Sequence, residues 1–295
     1  MTSVLAIDGG GIRGLIPALV LAEIEARTGR PIATMVDLIA GTSTGGIIAC
    51  ALARPEPMPA AEIAELYEAE GPVIFDKKVV KTITSVGGLL DERYDDAGLV
   101  ATLERHLGGV RLGDATVPLL ITAYDVTGRQ ALLLRSDTDP DVGMVDAAHA
   151  TSAAPTYFEP VALGPRTLID GGVFAINPAV FAFTEAERPP ELLLSLGTGS
   201  HTRPLAYDDV KDWGKLEWAA PLIDVVFDGS ADAVDAQLAR LAGDRYVRLQ
   251  TRLDEASDAL DDASPENLAA LRREAEGLIA ARSADIDDVC TQLVS

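Results

Sequence analysis

The chain begins with the same local pattern twice: a short apolar segment, a glycine-rich turn and an apolar helix. Residues 3–7 (SVLAI) lead into glycines at 9–11 and 14, and residues 15–28 then carry apolar side chains at helical spacing up to Gly29. The segment MVDLIAG leads in the same way through GTSTGG into IIACALA. Because strands that alternate with helices pair in parallel, this repetition predicts an α/β fold.

The rest of the chain favours a three-layer α/β/α arrangement around a mostly parallel central sheet. We predict an edge hairpin of VPLLITAYDV and QALLLRS, a buried strand in ELLLSLGTG and an edge strand in RYVRLQ. Helices are predicted at 60–70, 96–107, PAVFAFTEA and most of 209–295, whereas 71–95 looks irregular and is our candidate for a mobile rim or lid. We predict a single domain, with its motifs in about residues 3–200 and the helical part packed on them.

The charge limits the partners of the chain. Its 46 acidic and 24 basic side chains give a formal net charge of -22, which repels nucleic acid and anionic lipid headgroups. The two cysteines, Cys50 and Cys290, are far apart in sequence and predict free thiols. Without an apolar run of membrane-spanning length or a basic leader, the sequence predicts a soluble cytoplasmic protein. It does not indicate an oligomeric state.

The second turn has the form G-x-S-x-G, from Gly41 through Ser43 and Thr44 to Gly45. Between a strand and a helix, such a turn exposes the serine hydroxyl, and the backbone N–H of Thr44 is available to a developing oxyanion. The alternative is a serine that only caps the helix. The pattern alone does not decide between a nucleophile and a cap.

The first turn formally contains the dinucleotide-binding fingerprint G-x-G-x-x-G, from Gly9 to Gly14. That fingerprint expects an acidic residue at the end of the second strand, yet Asp37 lies inside the strand candidate and GTSTGG follows it. The same backbone N–H groups can hold the oxyanion of an ester-cleavage intermediate, with Arg13 fixing the loop or adding positive potential. A purely structural glycine turn is the third possibility.

A serine nucleophile needs a base, and the sequence offers few. Asp170 ends the apolar run LID before two glycines, at the edge of the sheet where active sites form, although an Asp there is often only a turn residue. The chain has three histidines. We expect His106 to be surface or core filler and His149 to lie at a helix end, and His201 is the alternative base because Ser43, Asp170, His201 follows the α/β-hydrolase order.

Together, DGGGIRG, GTSTGG and DGG, in this order and at these distances, resemble the patatin-like phospholipase family. The resemblance extends over nearly the whole chain and includes ERYDDAGL, ATSAAPTYF, LIDGGVFAINPA, LSLGTG and DDASPENL. One departure is Ile176, where many relatives carry an additional asparagine before the Asn177-Pro178 pair kept here. This departure concerns a local contact behind Asp170.

The resemblance implies a lipid acyl hydrolase with Ser43 as nucleophile and Asp170 as its only partner. The loop of Gly9, Gly10, Gly11 and Gly14 would form the oxyanion hole with Arg13 in support, and no cofactor or metal would be needed. The expected partners are a lipid or fatty-acyl ester and a transient membrane or micelle surface. The alternatives are a lipid-binding, storage or nucleotide-regulated effector protein with the same fold and, less favoured, a dinucleotide-binding oxidoreductase.

Overall fold

A computed structural model describes residues 2–75, 80–84, 90–200, 204–219 and 221–295 of the chain. The strands are β1 Ser3–Ile7, β2 Leu38–Gly41, β3 Val80–Thr84, β4 Leu90–Tyr94, β5 Leu119–Asp125, β6 Gln130–Arg135, β7 Val161–Leu163, β8 Arg166–Asp170, β9 Leu192–Leu196 and β10 Tyr246–Leu249. The helices are α1 Leu15–Thr28, α2 Thr44–Ala53, α3 Ala60–Ile74, α4 Ala97–Leu107, α5 Met144–Thr151, α6 Gly172–Ala175, α7 Ala179–Glu185, α8 Tyr207–Val210, α9 Lys215–Ala219, α10 Pro221–Leu241, α11 Pro265–Ala281 and α12 Ser283–Leu293.

The main sheet has a parallel centre and an antiparallel end. Strands β10, β9, β1, β2 and β5 lie side by side in this order and run parallel. Strands β6 and β8 both run antiparallel to β5, and β7 runs antiparallel to β8. The sheet is therefore mostly parallel at its centre, as the repeated strand, turn and helix units predict.

Helices cover both faces of this sheet. Along β1, Leu5 and Ile7 point into the larger core, which α1, α2 and α11 cover. Val4 and Ala6 point into a second core on the opposite face, beneath α7 and α10. Because successive side chains of a strand point to opposite faces, an apolar strand such as β1 needs a helical layer on each side. The α/β/α prediction is confirmed.

Strand β5 brings the ends of β2 and β8 together. β6 pairs with β5 along Leu120 to Asp125 and so occupies one side of it. β2 and β8 must then share the other side, where Gly41 pairs with Ile121 and Asp170 pairs with Ala123. Because β2 is parallel and β8 antiparallel to β5, their carboxyl ends face each other. The turn after β2 and the end of β8 therefore meet.

Most predicted elements agree with the structure, and residues 71–95 are the main correction. The hairpin of β5 and β6 and the edge strand β10 are confirmed. The irregular segment predicted for 71–95 is wrong for the described residues, because α3 continues to Ile74 and β3 pairs with β4. Residues 76–79 and 85–89 of the expected rim or lid lie outside the described residues.

The C-terminal third packs against the part of the chain that carries the motifs. Strand β10 extends the sheet beside β9, and α11 packs against α1. A buried ion pair adds to these contacts, because Arg248 Nη1 donates to Asp8 Oδ1 at 2.9 Å where the glycine loop begins. The single domain stays a prediction. Within the described residues, no helix is long and apolar enough to cross a membrane.

Candidate active site

Ser43 lies in a sharp turn between β2 and α2. Its backbone has φ 53° and ψ -124°, a region that residues with a side chain rarely adopt. The turn closes tightly because a Cβ atom on Gly41 would overlap the Gly45 carbonyl, and one on Gly45 would overlap the Ile7 carbonyl oxygen. Strain at a strand-to-helix turn is typical of a nucleophile elbow. Ser43 accepts no N-cap bond in α2 through its side chain, so a capping role has no support.

Hydrogen bonds from neighbouring elements hold this turn. The Ser43 N–H donates to Thr151 Oγ1 at 2.8 Å, at the end of α5. Thr42 Oγ1 donates to the Ala175 carbonyl at 2.6 Å and accepts from Thr122 Oγ1 at 2.8 Å. These bonds join β2, β5, α5 and α6 around the serine. No local sequence pattern predicts these bonds, although Thr151 lies in the motif ATSAAPTYF.

Asp170 is a buried carboxyl group at the end of β8, 1% exposed. Its Oδ1 accepts a hydrogen bond from the Gly172 N–H at 2.7 Å. Burial raises the pKa of Asp170 to about 7, and the Ser43 hydroxyl and the Gly172 N–H oppose that rise. Oδ2 has no hydrogen bond of ordinary geometry with any described residue. Asp170 can therefore accept a proton near neutral pH.

The glycine loop presents two unused backbone donors. The Gly9 N–H donates to the Ile176 carbonyl oxygen at 2.9 Å and is therefore already engaged. The N–H groups of Gly10 and Gly11 donate to none of the described residues, and both glycines line the same cavity as Ser43 and Thr44. Thr44 is the first residue of α2, and its N–H therefore has no acceptor within the helix.

Arg13 and Gly14 support this loop from behind. Arg13 is 5% exposed, and its Nε donates to the Gly10 carbonyl at 3.3 Å. Burial lowers the pKa of Arg13, while the nearby carboxylates of Asp228 and Asp224 oppose that change. A Cβ atom on Gly14 would overlap Thr44 Oγ1 and the Tyr67 hydroxyl, which hydrogen-bond each other. The two residues thus fix the loop against α2 and α3.

The cavity at Ser43 is apolar and runs between α2, α3 and α4. Its empty space is about 1050 Å³, including its opening to solvent. Ser43, Asp170, Gly10 and Gly11 lie in its wall, and Ser152 Oγ is a buried wall atom with no hydrogen bond to a described residue. The surrounding apolar wall includes Ile47, Leu66, Ile74, Leu99, Leu103 and Phe158. Such a wall suits a hydrocarbon chain.

The family described as patatin-like phospholipase matches residues 5–183, which is more than half of the chain. The chain belongs to this family. The match contains the glycine loop, Ser43 and Asp170.

Two curated relatives show the range of this family. A protein named probable inactive patatin-3-Kuras 1, from Solanum tuberosum, is 29% identical, over 95% of this chain and 86% of that protein. A protein named cGAMP-activated phospholipase, from Pseudomonas aeruginosa, is 33% identical, over 88% of this chain and 83% of that protein. The solved structure of VipD from Legionella pneumophila has a TM-score of 0.52 at 12% identity and covers 95% of this chain and 67% of its own; it supports the fold alone.

In this patatin-like chain, the surroundings of the glycine loop differ from those of a dinucleotide-binding loop. A Cβ atom on Gly10 would overlap Thr198, and one on Gly11 would overlap the Leu260 carbonyl, so protein atoms lie against these glycines on the Cβ side. Asp37 lies before β2, and its Oδ2 accepts from the Ser3 N–H at 2.7 Å, at the opposite end of β1 from the loop. A ribose-binding carboxylate would have to lie at the carboxyl end. The geometry does not favour the oxidoreductase hypothesis.

Two of the three histidines lie within the described residues, one at a helix end and one in the cavity wall. His149 is in the last turn of α5, as expected, with its Nε2 3.1 Å from Asp96 Oδ2. His106 is in α4 and lines the cavity, where its Nε2 has no hydrogen bond to a described residue. His201 lies outside the described residues. Among the described residues, no group of three or more His, Cys, Asp or Glu side chains could hold a metal ion.

The apolar Ile176 side chain fills the space behind the site. Its Cδ1 is the nearest atom to the position where a Cβ of Gly9 would lie, and the side chain packs with Phe227 and Leu260. The next residue, Asn177, is buried, and its Oδ1 accepts from the Ala179 N–H at 2.9 Å. Position 176 therefore contributes apolar packing against the glycine loop.

Proposed function

We propose that this protein is a serine lipid acyl hydrolase, of the phospholipase A or non-specific carboxylic ester hydrolase type. The observation that carries the proposal is that Ser43 and Asp170 lie in the wall of one apolar cavity. The raised pKa of Asp170, about 7, supports a role as general base. The substrate we infer is a fatty-acyl ester, whose hydrocarbon chain fits the wall formed by α2, α3 and α4.

The reaction we infer has two steps. Asp170 takes the Ser43 hydroxyl proton while Oγ attacks the ester carbonyl carbon, and the Gly10, Gly11 and Thr44 N–H groups stabilise the oxyanion. The alcohol leaves with the proton from Asp170, and an acyl-serine remains. Water then gives a proton to Asp170 and attacks the acyl carbon, which releases the fatty acid and restores the Ser43 hydroxyl. The mechanism needs no metal or cofactor.

Substitution of either member of the proposed dyad should remove most of the activity. We expect Ser43→Ala and Asp170→Asn each to lower kcat by at least about 10³, because removing one member of a coupled unit removes most of its effect. Fatty-acid release from a mixed lipid panel, followed by mass spectrometry, measures this loss and identifies the substrate class. Retained esterase activity in either variant would contradict the dyad.

The second hypothesis is a lipid-binding or effector protein whose hydrolytic site is idle, and two relatives motivate it: one is named probable inactive and one cGAMP-activated. Fluorophosphonate labelling separates this hypothesis from the first. We expect rapid labelling of the wild type and none of Ser43→Ala. Ser152→Ala is the matched control, because Ser152 lines the same cavity. A wild type that resists labelling with and without added cGAMP supports the idle site.

A further inference from the structure

The N-terminal half of α10 exposes an apolar stripe. Leu222, Val225 and Val226 are 50%, 45% and 41% exposed, and their spacing places them on one face of the helix. On the other face, Ile223 and Phe227 pack with Leu260 in a buried cluster. We call the three exposed residues the α10 stripe. One of the two apolar faces of this helix is therefore about half exposed to solvent.

The stripe lies directly behind the wall of the cavity. Phe227 is part of that wall, and a Cβ atom on Gly172 would lie 2.9 Å from the Phe227 ring. Gly172 in turn donates to Asp170 Oδ1. One turn of α10 thus presents one face to Gly172 and the cavity wall and another face to solvent.

Other apolar side chains precede α10 closely in the sequence. Both tryptophans of the chain, Trp213 and Trp218, lie just before α10 and contact each other edge to face, with ring centroids 5.1 Å apart. Leu205 and Tyr207 are 47% and 77% exposed. Of the nine large hydrophobic residues exposed in the described chain, five lie between Leu205 and Val226. This clustering distinguishes the surface from scattered exposed side chains.

We propose that the α10 stripe docks on a zwitterionic phospholipid surface and brings the cavity to its acyl substrate; this rests on the proposed function. Tryptophan is enriched where membrane meets water, and exposed leucine and valine insert among acyl chains. Residues 205–226 carry five acidic and two basic side chains, which disfavours an anionic surface. The same acidic side chains would face each other if the stripe met a second copy, which disfavours that occupant.

A triple variant tests the docking. Leu222→Ser, Val225→Ser and Val226→Ser together remove the stripe and leave Phe227 in place. The control is Leu241→Ser with Val294→Ser, because both residues are also exposed, at 60% and 46%, and lie outside residues 205–226. Co-sedimentation with phosphatidylcholine vesicles is measured in a Ser43→Ala background, so that hydrolysis does not alter the vesicles.

We expect the triple variant to bind phosphatidylcholine vesicles about tenfold more weakly than the control. In the active background, hydrolysis of these vesicles should fall by a similar factor, whereas cleavage of a soluble p-nitrophenyl butyrate should stay unchanged. Equal vesicle binding by the triple and control variants would overturn the proposal. So would an equal fall on vesicles and on the soluble ester, which would show damage to the cavity.

Two further outcomes separate a failure of the proposed hydrolase function from a failure of the docking proposal. If the wild type cleaves neither substrate, the proposed hydrolase function fails, and the co-sedimentation result still decides whether the stripe binds lipid. If the wild type is a dimer in solution and the triple variant a monomer, the stripe covers a second copy, and the docking proposal is wrong. Size-exclusion chromatography with light scattering makes that distinction.

Discussion

Asp170 is a carboxyl group in surroundings that disfavour its charge. Water is excluded from it, and one backbone N–H and the Ser43 hydroxyl only partly compensate the lost hydration. An ordinary aspartate is too weak a base to take a serine proton at neutral pH. A buried one with a pKa of about 7 is better matched to that task, which is the role that the proposed dyad assigns to Asp170.

The raised pKa of Asp170 predicts how the activity depends on pH. We expect kcat/KM for a soluble ester to fall about tenfold per unit below pH 7 and to level off above it, because only the ionised Asp170 accepts the serine proton. Histidine titrates in the same range. The profile should therefore be repeated with His106→Gln, His149→Gln and His201→Gln. Loss of activity in any one of them would identify a histidine base instead.

The second consequence concerns stability. Burial raises the pKa of Asp170 in the folded state to about 7, from the ordinary value of 3.8 that applies to the unfolded chain. The free energy of unfolding of the wild type therefore decreases as the pH rises from 3.8 to about 7. Asp170→Asn does not titrate, and its Oδ1 can still accept from Gly172. Its stability relative to wild type should thus increase by roughly 2 to 3 kcal/mol between pH 5 and pH 8. Urea unfolding at both pH values measures this, and a constant difference would contradict the raised pKa.

At the scale of elements, the site depends on how closely α2 approaches β1. A Cβ atom on Gly45 would overlap the Ile7 carbonyl oxygen, and backbone atoms cannot move aside as a flexible side chain can. We expect Gly45→Ala to destabilise the fold by more than about 2 kcal/mol and to abolish activity. Gly277→Ala in α11 is the matched control, because its Cβ would meet no atom within 4 Å. It should be neutral or stabilise by up to about 1 kcal/mol.

Thermal unfolding of the two glycine variants makes this comparison. Similar melting temperatures would contradict the close approach of α2 and β1. A destabilised Gly45→Ala with full kcat would show instead that the turn is structural and that Ser43 tolerates a shift of its helix.

The elements that could be predicted from the sequence are those with a local signal. The spacing of apolar residues predicts α1 and its end at Gly29, and the strand, turn and helix pattern predicts the position of Ser43. The hairpin of β3 and β4 was missed, because VKTIT and LDERY carry mixed polar sequence without an apolar period. β7 was missed because it has only three residues.

The meeting of Ser43 and Asp170 could not be read from local patterns. It depends on β8 running antiparallel to β5 on the same side as β2, a pairing across 43 or more residues. The resemblance to patatin-like phospholipases indicated Ser43 and Asp170 as partners, but it did not indicate how the strands bring them together. It also grouped Gly9 with the oxyanion donors, yet the Gly9 N–H donates to Ile176, so a bond between segments decides which N–H groups remain free.

At the scale of the whole molecule, the net charge of -22 acts on any lipid surface the protein approaches. The repulsion from an anionic bilayer extends over the Debye length, about 30 Å at 0.01 M salt and about 8 Å at 0.15 M. A zwitterionic bilayer has no net charge and exerts no comparable repulsion.

We therefore expect hydrolysis of phosphatidylglycerol vesicles to be slow at low salt and to rise with ionic strength, while hydrolysis of phosphatidylcholine vesicles changes little. The ratio of the two rates, measured between 0.01 M and 0.15 M salt, should approach one as screening increases. The rate on a soluble neutral ester corrects for any effect of salt on the chemical step. A preference for phosphatidylglycerol at low salt would mean that a local basic surface, and not the net charge of the molecule, governs its encounter with lipid.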